Sequence, residues 1–400
     1  MPSSPPELLM AAIANGDAAG VRALLAAHPS LRNVLDEALP GAAFGATPLI
    51  EAARRANLDV IDALLDAGAN VNQRSHWWAG GFSALGDDPA VNAHLIARGA
   101  VVDAWDAARL GMLDRVRELL QQDPAAATAR FGDGQTALHA AATVEIAELL
   151  LDSGADVDAR DVDHESTPAQ YLIREHPDVS RFLVAHGAQA DILLACALGD
   201  QPLAERIVAE DPEALRVTVS PRWFPMRNPR AGGSIYIWTL GNGVGPHAVA
   251  ADAGHERLLA WLMDRTPVDV RLAVACERGD DGAVTAILSA HPDATSNMRD
   301  DMQERLVAAA QGNDTRVVSA MLRAGWPPDA RNHAAATAMH WAAFHGNAAV
   351  VRALLQRGAR VDVVEQAFSG TPADWAQHGA KRSWHRASGD YAAVLELLAS

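Results

Sequence analysis

The chain has little of what several functional classes need. Among 400 residues there are only two cysteines, aromatic residues make up 5%, and 33 basic residues face 50 acidic ones. No uninterrupted apolar run approaches the roughly 18 residues needed to cross a bilayer, although 49% of the residues are apolar. The opening Met1-Pro-Ser-Ser-Pro-Pro has no basic stretch followed by an apolar one, so no secretory leader is expected. Two cysteines cannot staple a chain of this length, which predicts a reducing, cytoplasmic setting. The net charge of −17 repels nucleic acid and anionic lipid and makes a basic or neutral partner the easier target. Catalytic signatures are missing too, with no Gly-x-Ser-x-Gly elbow, dinucleotide turn or kinase motif. No enzyme activity and no cofactor are expected.

What the chain does have is self-similarity. Gly45-Ala-Thr47-Pro48-Leu49 leads to Leu64-Leu65-Asp-Ala-Gly68-Ala. Gly134-Gln-Thr136-Ala-Leu138-His139-Ala-Ala leads to Leu149-Leu150 and Gly154-Ala. Ala336-Thr337-Ala-Met339-His340 leads to Leu354-Leu355-Gln-Arg-Gly358-Ala. Gly154 and Gly187 are 33 residues apart, as are Gly325 and Gly358. Each part of the unit has a physical role. Threonine caps free N–H groups at a helix start, and proline in the next position loses no hydrogen bond. Paired alanines let helices approach closely, Leu-Leu fills the layer between units, and the final glycine takes the left-handed conformation that ends a helix.

These stretches resemble the ankyrin repeat, whose Thr-Pro-Leu-His-x-Ala signature each matches in part and whose Leu-Leu-x-x-Gly-Ala each matches closely. The resemblance implies an all-α ankyrin-repeat solenoid of about 11–12 helix-turn-helix units. It also implies that His139 and His340 hydrogen-bond backbone between units, and that the function is to bind another protein through the concave face, here joined by the insertion at 213–244. A monomer is expected.

A second unit type ends in Asp/His-Pro rather than Gly-Ala, at Pro29, Pro124, Pro212 and Pro292, spaced 95, 88 and 80 residues apart. Three of the four carry Gly-Asp between their helices, at Gly16-Asp17, Gly199-Asp200 and Gly279-Asp280. The chain 1–400 therefore reads as a single solenoid of four blocks, 5–103, 104–190, 191–268 and 269–400. Cys196 and Cys276 fall at one position of the unit and read as buried thiols too far apart to join. The unit ending at Gly99 is short, and the first helix after His139 is clipped.

One irregular insertion, 213–244, interrupts the array. Its prolines forbid a long helix, and Ile235-Tyr236-Ile237-Trp238 suggests a short extended segment. Arg216, Arg222, Arg227 and Arg230 lie in a stretch from Leu215 to Ala251 that has no acidic residue, an asymmetry against the acidic whole. Two readings stand side by side. In one, Arg222, Arg227 and Arg230, with Trp223, Phe224, Asn228 and Trp238, recognise a carboxylate-rich or phosphorylated partner. In the other, the arginines pair with the acidic ridge of their own chain. An anion or small-ligand sensor built on the same loop is the alternative function.

Between units lie the finger loops. Trp77, Trp78 and Phe82 occupy one and are either a binding hot spot or a cover for the short neighbouring unit. Arg160-Asp161-Val-Asp163-His164-Glu165 forms another tip, expected to be a solvated polar loop. The fifteen histidines show no Cys-x-x-Cys or His-Glu-x-x-His spacing, so no metal site is expected. Trp375, His378, Trp384 and His385 are expected to close the terminal hydrophobic layer.

Overall fold

A computed structural model describes residues 4–399 as two compact units. The first comprises residues up to 189 together with 226–235, and the second comprises 190–225 and the chain from 236 onward. The described residues are helical, with no β-strand and one isolated bridge, Arg331 to Thr337.

The first unit stacks six helical layers. Four are ordinary helix pairs, such as Pro48–Arg54 with Leu58–Asp66 and Ala104–Arg109 with Leu113–Gln122. The layer of Val144–Asp152 has only a 3₁₀ turn, Ala137–Ala140, in place of its first helix, and Pro89–Ala97 has no first helix at all. These are the two units whose sequences are clipped. The second unit stacks six complete pairs, from Ile192–Leu198 with Gln201–Glu210 to Pro372–Arg382 with Tyr391–Ala399.

Local rules set the boundaries. Thr47 accepts from the Ile50 N–H and Pro48 follows it as the first helical residue. In the Gly-Asp units, Gly16, Gly199 and Gly279 take φ of +68°, +67° and +71°, ending one helix. The aspartate that follows caps the next helix, accepting from Gly20, Leu203 and Ala283. The Asp/His-Pro exits work differently. The residue before proline is kept out of the helical region, with φ of −129° at His28, −146° at Asp123 and −139° at Asp211. The chain then turns through 3₁₀ segments at Pro29–Val34, Pro124–Ala127 and Pro212–Arg216.

The helices bury alanine against alanine: Ala52, Ala107, Ala195, Ala273 and Ala342 are fully enclosed. Cys196 and Cys276 sit among them as free, buried thiols, and burial pushes both upward in pKa, Cys276 to about 12. As thiols rather than thiolates they are unreactive at neutral pH.

The insertion is closed at its stem within the second unit, where the Val219 N–H donates to the Val244 carbonyl and the Gly243 N–H to that of Val219. The extended segment expected at Ile235–Trp238 is instead a short helix, Tyr236–Thr239. Tyr236 explains it. Its ring is fully buried against Phe224, and its hydroxyl donates to the Asp191 carboxylate, the cap of Ile192–Leu198. The backbone must curl to deliver that side chain, and Gly241, at φ +109°, ends the curl.

Candidate functional site

Between successive layers the chain forms tip loops closed by one repeated device, a backbone bond across the loop base. It joins Ser75 to Phe82, Phe131 to Gln135, Asp161 to Ser166, Asn332 to Ala336 and Glu365 to Gly370, at 2.8–3.2 Å. The signature histidines lock these loops in place. The Thr136 N–H donates to Nδ1 of His139, and the opposite ring nitrogen donates to the Ser166 carbonyl at 3.2 Å. His340 does the same between Thr337 and Gly370. Burial holds both imidazoles below their ordinary pKa, His139 at about 4, so they are neutral and rigid. With the bases fixed, what varies from loop to loop is the tip.

In the first unit, the Trp77 and Trp78 loop meets the 226–235 segment. The Arg230 guanidinium lies 4.5 Å from the Trp78 ring centroid, joining two residues that the sequence singled out separately. Trp77 packs edge-on against Phe44, 5.0 Å away, and its indole N–H donates to Asp133 at 2.8 Å. Phe82 packs against Phe44 and over Gly132, where any side chain would collide with its ring. Phe44 and Asp133 occupy equivalent positions, three residues before the cap threonines Thr47 and Thr136 and both at φ +57°, but their side chains do not repeat, so the sequence did not single them out. The backbone N–H groups of Arg227 and Asn228 both donate to the Glu165 carboxylate, at 2.8–3.1 Å. The Arg227 side chain itself is exposed and meets no carboxylate among the described residues.

The tip at Arg160–Glu165 is not the solvated loop expected. Asp161, Asp163 and His164 are all buried. The Asp161 carboxylate folds inward to accept from the N–H groups of Asp163, His164 and Ser166. Gly232 and Gly233 then lie against Asp163 and His164.

The remaining insertion residues belong to the second unit. Arg222 makes a two-pronged contact with Glu304, at 2.9 and 2.8 Å. Arg216 is buried and grips Asp269 at 2.7 and 3.1 Å. For these two arginines, pairing within the chain is the arrangement found. Trp223 and Phe224 are half-buried, whereas Trp238 is 67% exposed.

The second unit also carries an aromatic groove that the sequence did not reveal. Trp341, Phe344, Phe368, Trp375, His378 and Trp384 line a cavity of about 640 Å³, within the range of small-ligand and side-chain pockets. Trp341 and Trp375 meet edge to face at 5.0 Å, and Phe344 and Trp384 at 5.5 Å. Phe368 is 81% exposed. Beside it Trp384 is 61% exposed, His378 is exposed, and Trp375 and His385 are only half-buried, so these last four do not close the terminal layer as expected. Val394 and Ala376 do that work. Asp374 stands at the groove's edge, its carboxyl lowered in pKa by hydrogen bonds from Thr371, and is therefore ionised.

No helix among the described residues is long and apolar enough to cross a membrane. No curated protein matches the chain. Among solved structures, it is similar to a chain in the complex of a predatory endopeptidase from Bdellovibrio bacteriovorus with an immunity protein. The two are 24% identical, the match covers 45% of this chain and 97% of that one, and the TM-score is 0.30. A family model of three ankyrin repeats matches residues 104–209 and 272–365, and a single-repeat model matches 44–76. These segments span more than half of the sequence and carry the capped helix pairs and locking histidines described above, and the chain belongs to the ankyrin-repeat family.

Proposed function

We propose that the chain is a protein-interaction scaffold that captures a basic, flexible segment of a partner, seating a cationic side chain in the aromatic groove between Trp341 and Trp384. Ankyrin repeats generally mediate protein–protein interaction. The observation that carries the specific reading is the groove itself. A chain with 5% aromatic residues leaves two large rings, Phe368 and Trp384, in water beside a preformed cavity. Exposed aromatic surface is costly unless something covers it. Ring faces, the ionised Asp374 and a net charge of −17 all favour an arginine or lysine occupant. In the same unit Trp238 is a further exposed ring. The anion-sensor reading has less support, because Arg216 and Arg222 already hold carboxylates of the chain.

A bead-displayed library of random 12-residue peptides, half acidic and half basic in composition, tests this reading. Selected peptides should carry arginine or lysine flanked by apolar residues. Their binding should weaken at least tenfold in the doubly substituted Phe368→Ala, Trp384→Ala protein, with an unchanged melting curve. Selection of acidic peptides, or equal binding by the variant, overturns it.

A further inference from the structure

Asp133, Asp163 and His164 come together from two neighbouring tip loops of the first unit. One ligand-type atom from each lies within 4.8 Å of the other two, and all three residues are buried. Two carboxylates so close and so dry repel each other, and a cation between them would relieve a burial cost of several kcal/mol. No arginine or lysine supplies one among the described residues: Asp133 accepts from Trp77, and Asp163 from the backbone of Gly232.

The imidazole narrows the possibilities. Nδ1 of His164 is 2.7 Å from the Gly233 carbonyl oxygen, which can only accept, so Nδ1 carries the hydrogen. In the neutral ring Nε2 is then a bare lone pair. It faces Oδ2 of Asp163 at 3.7 Å, with no hydrogen bond of its own, on a side chain that is 11% exposed. Two lone pairs facing one another in a buried site repel, unless a cation sits between them. The spacing is too long for a hydrogen bond. It is close to the roughly 3.3–3.5 Å that separates neighbouring ligands about 2.0–2.1 Å from a tetrahedral zinc ion.

The outer contacts fit as well. Each of the three side chains is oriented through an atom other than the one left over. The Trp77 indole holds Oδ1 of Asp133, the Gly232 N–H holds Oδ1 of Asp163, and the Gly233 carbonyl holds Nδ1 of His164. Metal-binding histidines and carboxylates are held in this way. The Tyr171 ring packs edge-on against His164, 6.0 Å away, and fixes the imidazole plane. At Gly232, a side chain would press on His164 and Asp163 at 3.3–3.4 Å.

We infer that Asp133, Asp163 and His164 bind one divalent transition-metal ion, zinc in the first instance, that ties the tip loops to the 226–235 segment. Two carboxylates neutralise the ion, the imidazole gives the preference for zinc over magnesium or calcium, and a fourth position is left for water or a partner's side chain.

The test uses the full chain, stripped with EDTA and returned to chelator-free buffer, then titrated with zinc chloride by calorimetry. One tight equivalent is expected, with a rise in melting temperature of several degrees. Asp163→Asn and His164→Gln should each weaken that equivalent at least a hundredfold, whereas His333→Gln, an exposed histidine elsewhere, should leave it unchanged. X-ray absorption at the zinc edge of the wild-type protein needs no variant to fold. It should report one imidazole nitrogen with oxygen ligands and no sulfur. The inference is overturned by the absence of a stoichiometric equivalent. A tight equivalent that survives both substitutions, or a first shell with several imidazoles, would overturn it equally.

Discussion

Replacing Arg216 by methionine separates the fold-holding arginines of the insertion from any that serve a partner. Arg216 is 8% exposed and makes two hydrogen bonds to Asp269, with Asp301 at 3.9 Å and Glu213 at 3.5 Å. Removing one partner of a buried pair costs about 3–5 kcal/mol, because the other charge is left without compensation. Asp269 retains 23% side-chain exposure and can recover water, and Asp301 keeps its bond to Arg299 at 3.0 Å, so the lower end, about 3 kcal/mol, applies. For a cooperative unit of this size that corresponds to a melting point lower by about 6–12 °C. Urea unfolding followed by circular dichroism reads the loss. The partner substitution sharpens the test. Asp269→Leu combined with Arg216→Met replaces the pair by apolar groups and should regain about 2 kcal/mol over the sum of the singles. If Arg216→Met stays within about 1 kcal/mol of the parent, or if the double variant shows coupling below about 0.5 kcal/mol, then the pair does not hold the insertion's base in the way its geometry indicates.

The outer arginines should behave oppositely. The Arg227→Glu, Arg230→Glu double variant forfeits one exposed cation–π contact and should cost less than about 1 kcal/mol, so a melting drop matching that of Arg216→Met would show that the outer loop is structural after all. Acid should act unevenly on the two units. Burial holds His247 at about 3 and also lowers His340 and His345, all in the second unit, so each is neutral when folded. A lowered folded pKa means that stability present above the unfolded value of about 6.5 is lost as pH falls below it. In the first unit His139, at about 4, acts in the same direction, but burial raises Asp106 to about 6, so protonation of that carboxyl favours the folded state as pH falls from 6 towards 4. Hydrogen exchange at pH 7 and 5 should therefore show the helices around Val268–Arg278 losing protection before those around Ala104–Arg109, and the reverse order would contradict the assignment.

The layers were legible because each is written by a short-range rule. Thr47-Pro48, Gly199-Asp200 and Asp123-Pro124 declare a helix start, a turn and an exit within two residues, and the structure follows each of them. The clipped layers at Pro89–Ala97 and Ala137–Ala140 were visible for the same reason. Long-range placement was not. The meeting of Arg230 with Trp78 spans 152 positions of sequence with no periodicity to announce it, and that of Asp133 with His164, 31 positions apart on adjacent tips, was hidden because tip chemistry does not repeat. The polar run 160–165 misled for a definite reason. Its composition suits solvent, yet Asp161 takes three backbone N–H groups inward, and two glycines, with no side chains of their own, close over what remains. The segment at Ile235 misled because β-favouring residues were overruled by one buried tyrosine hydroxyl.

Repetition itself explains where the chemistry sits. In a stack, each layer contacts only its neighbours, so residues that recur in every layer are those that stabilise stacking. Thr136 with His139 and Thr337 with His340 are such pairs, and their hydrogen bonds are nearly identical in the two units. Such residues cannot be altered for function without loosening a layer. The tips between the loop-closing bonds are free of that duty. There the chain places Trp77 and Trp78, Asp133, Asp163 with His164, and Phe368, each at the same structural position and each chemically different. A tip residue can therefore be exchanged at little cost to the stack, and substitutions at Phe368 should be nearly silent in stability while changing what the groove accepts.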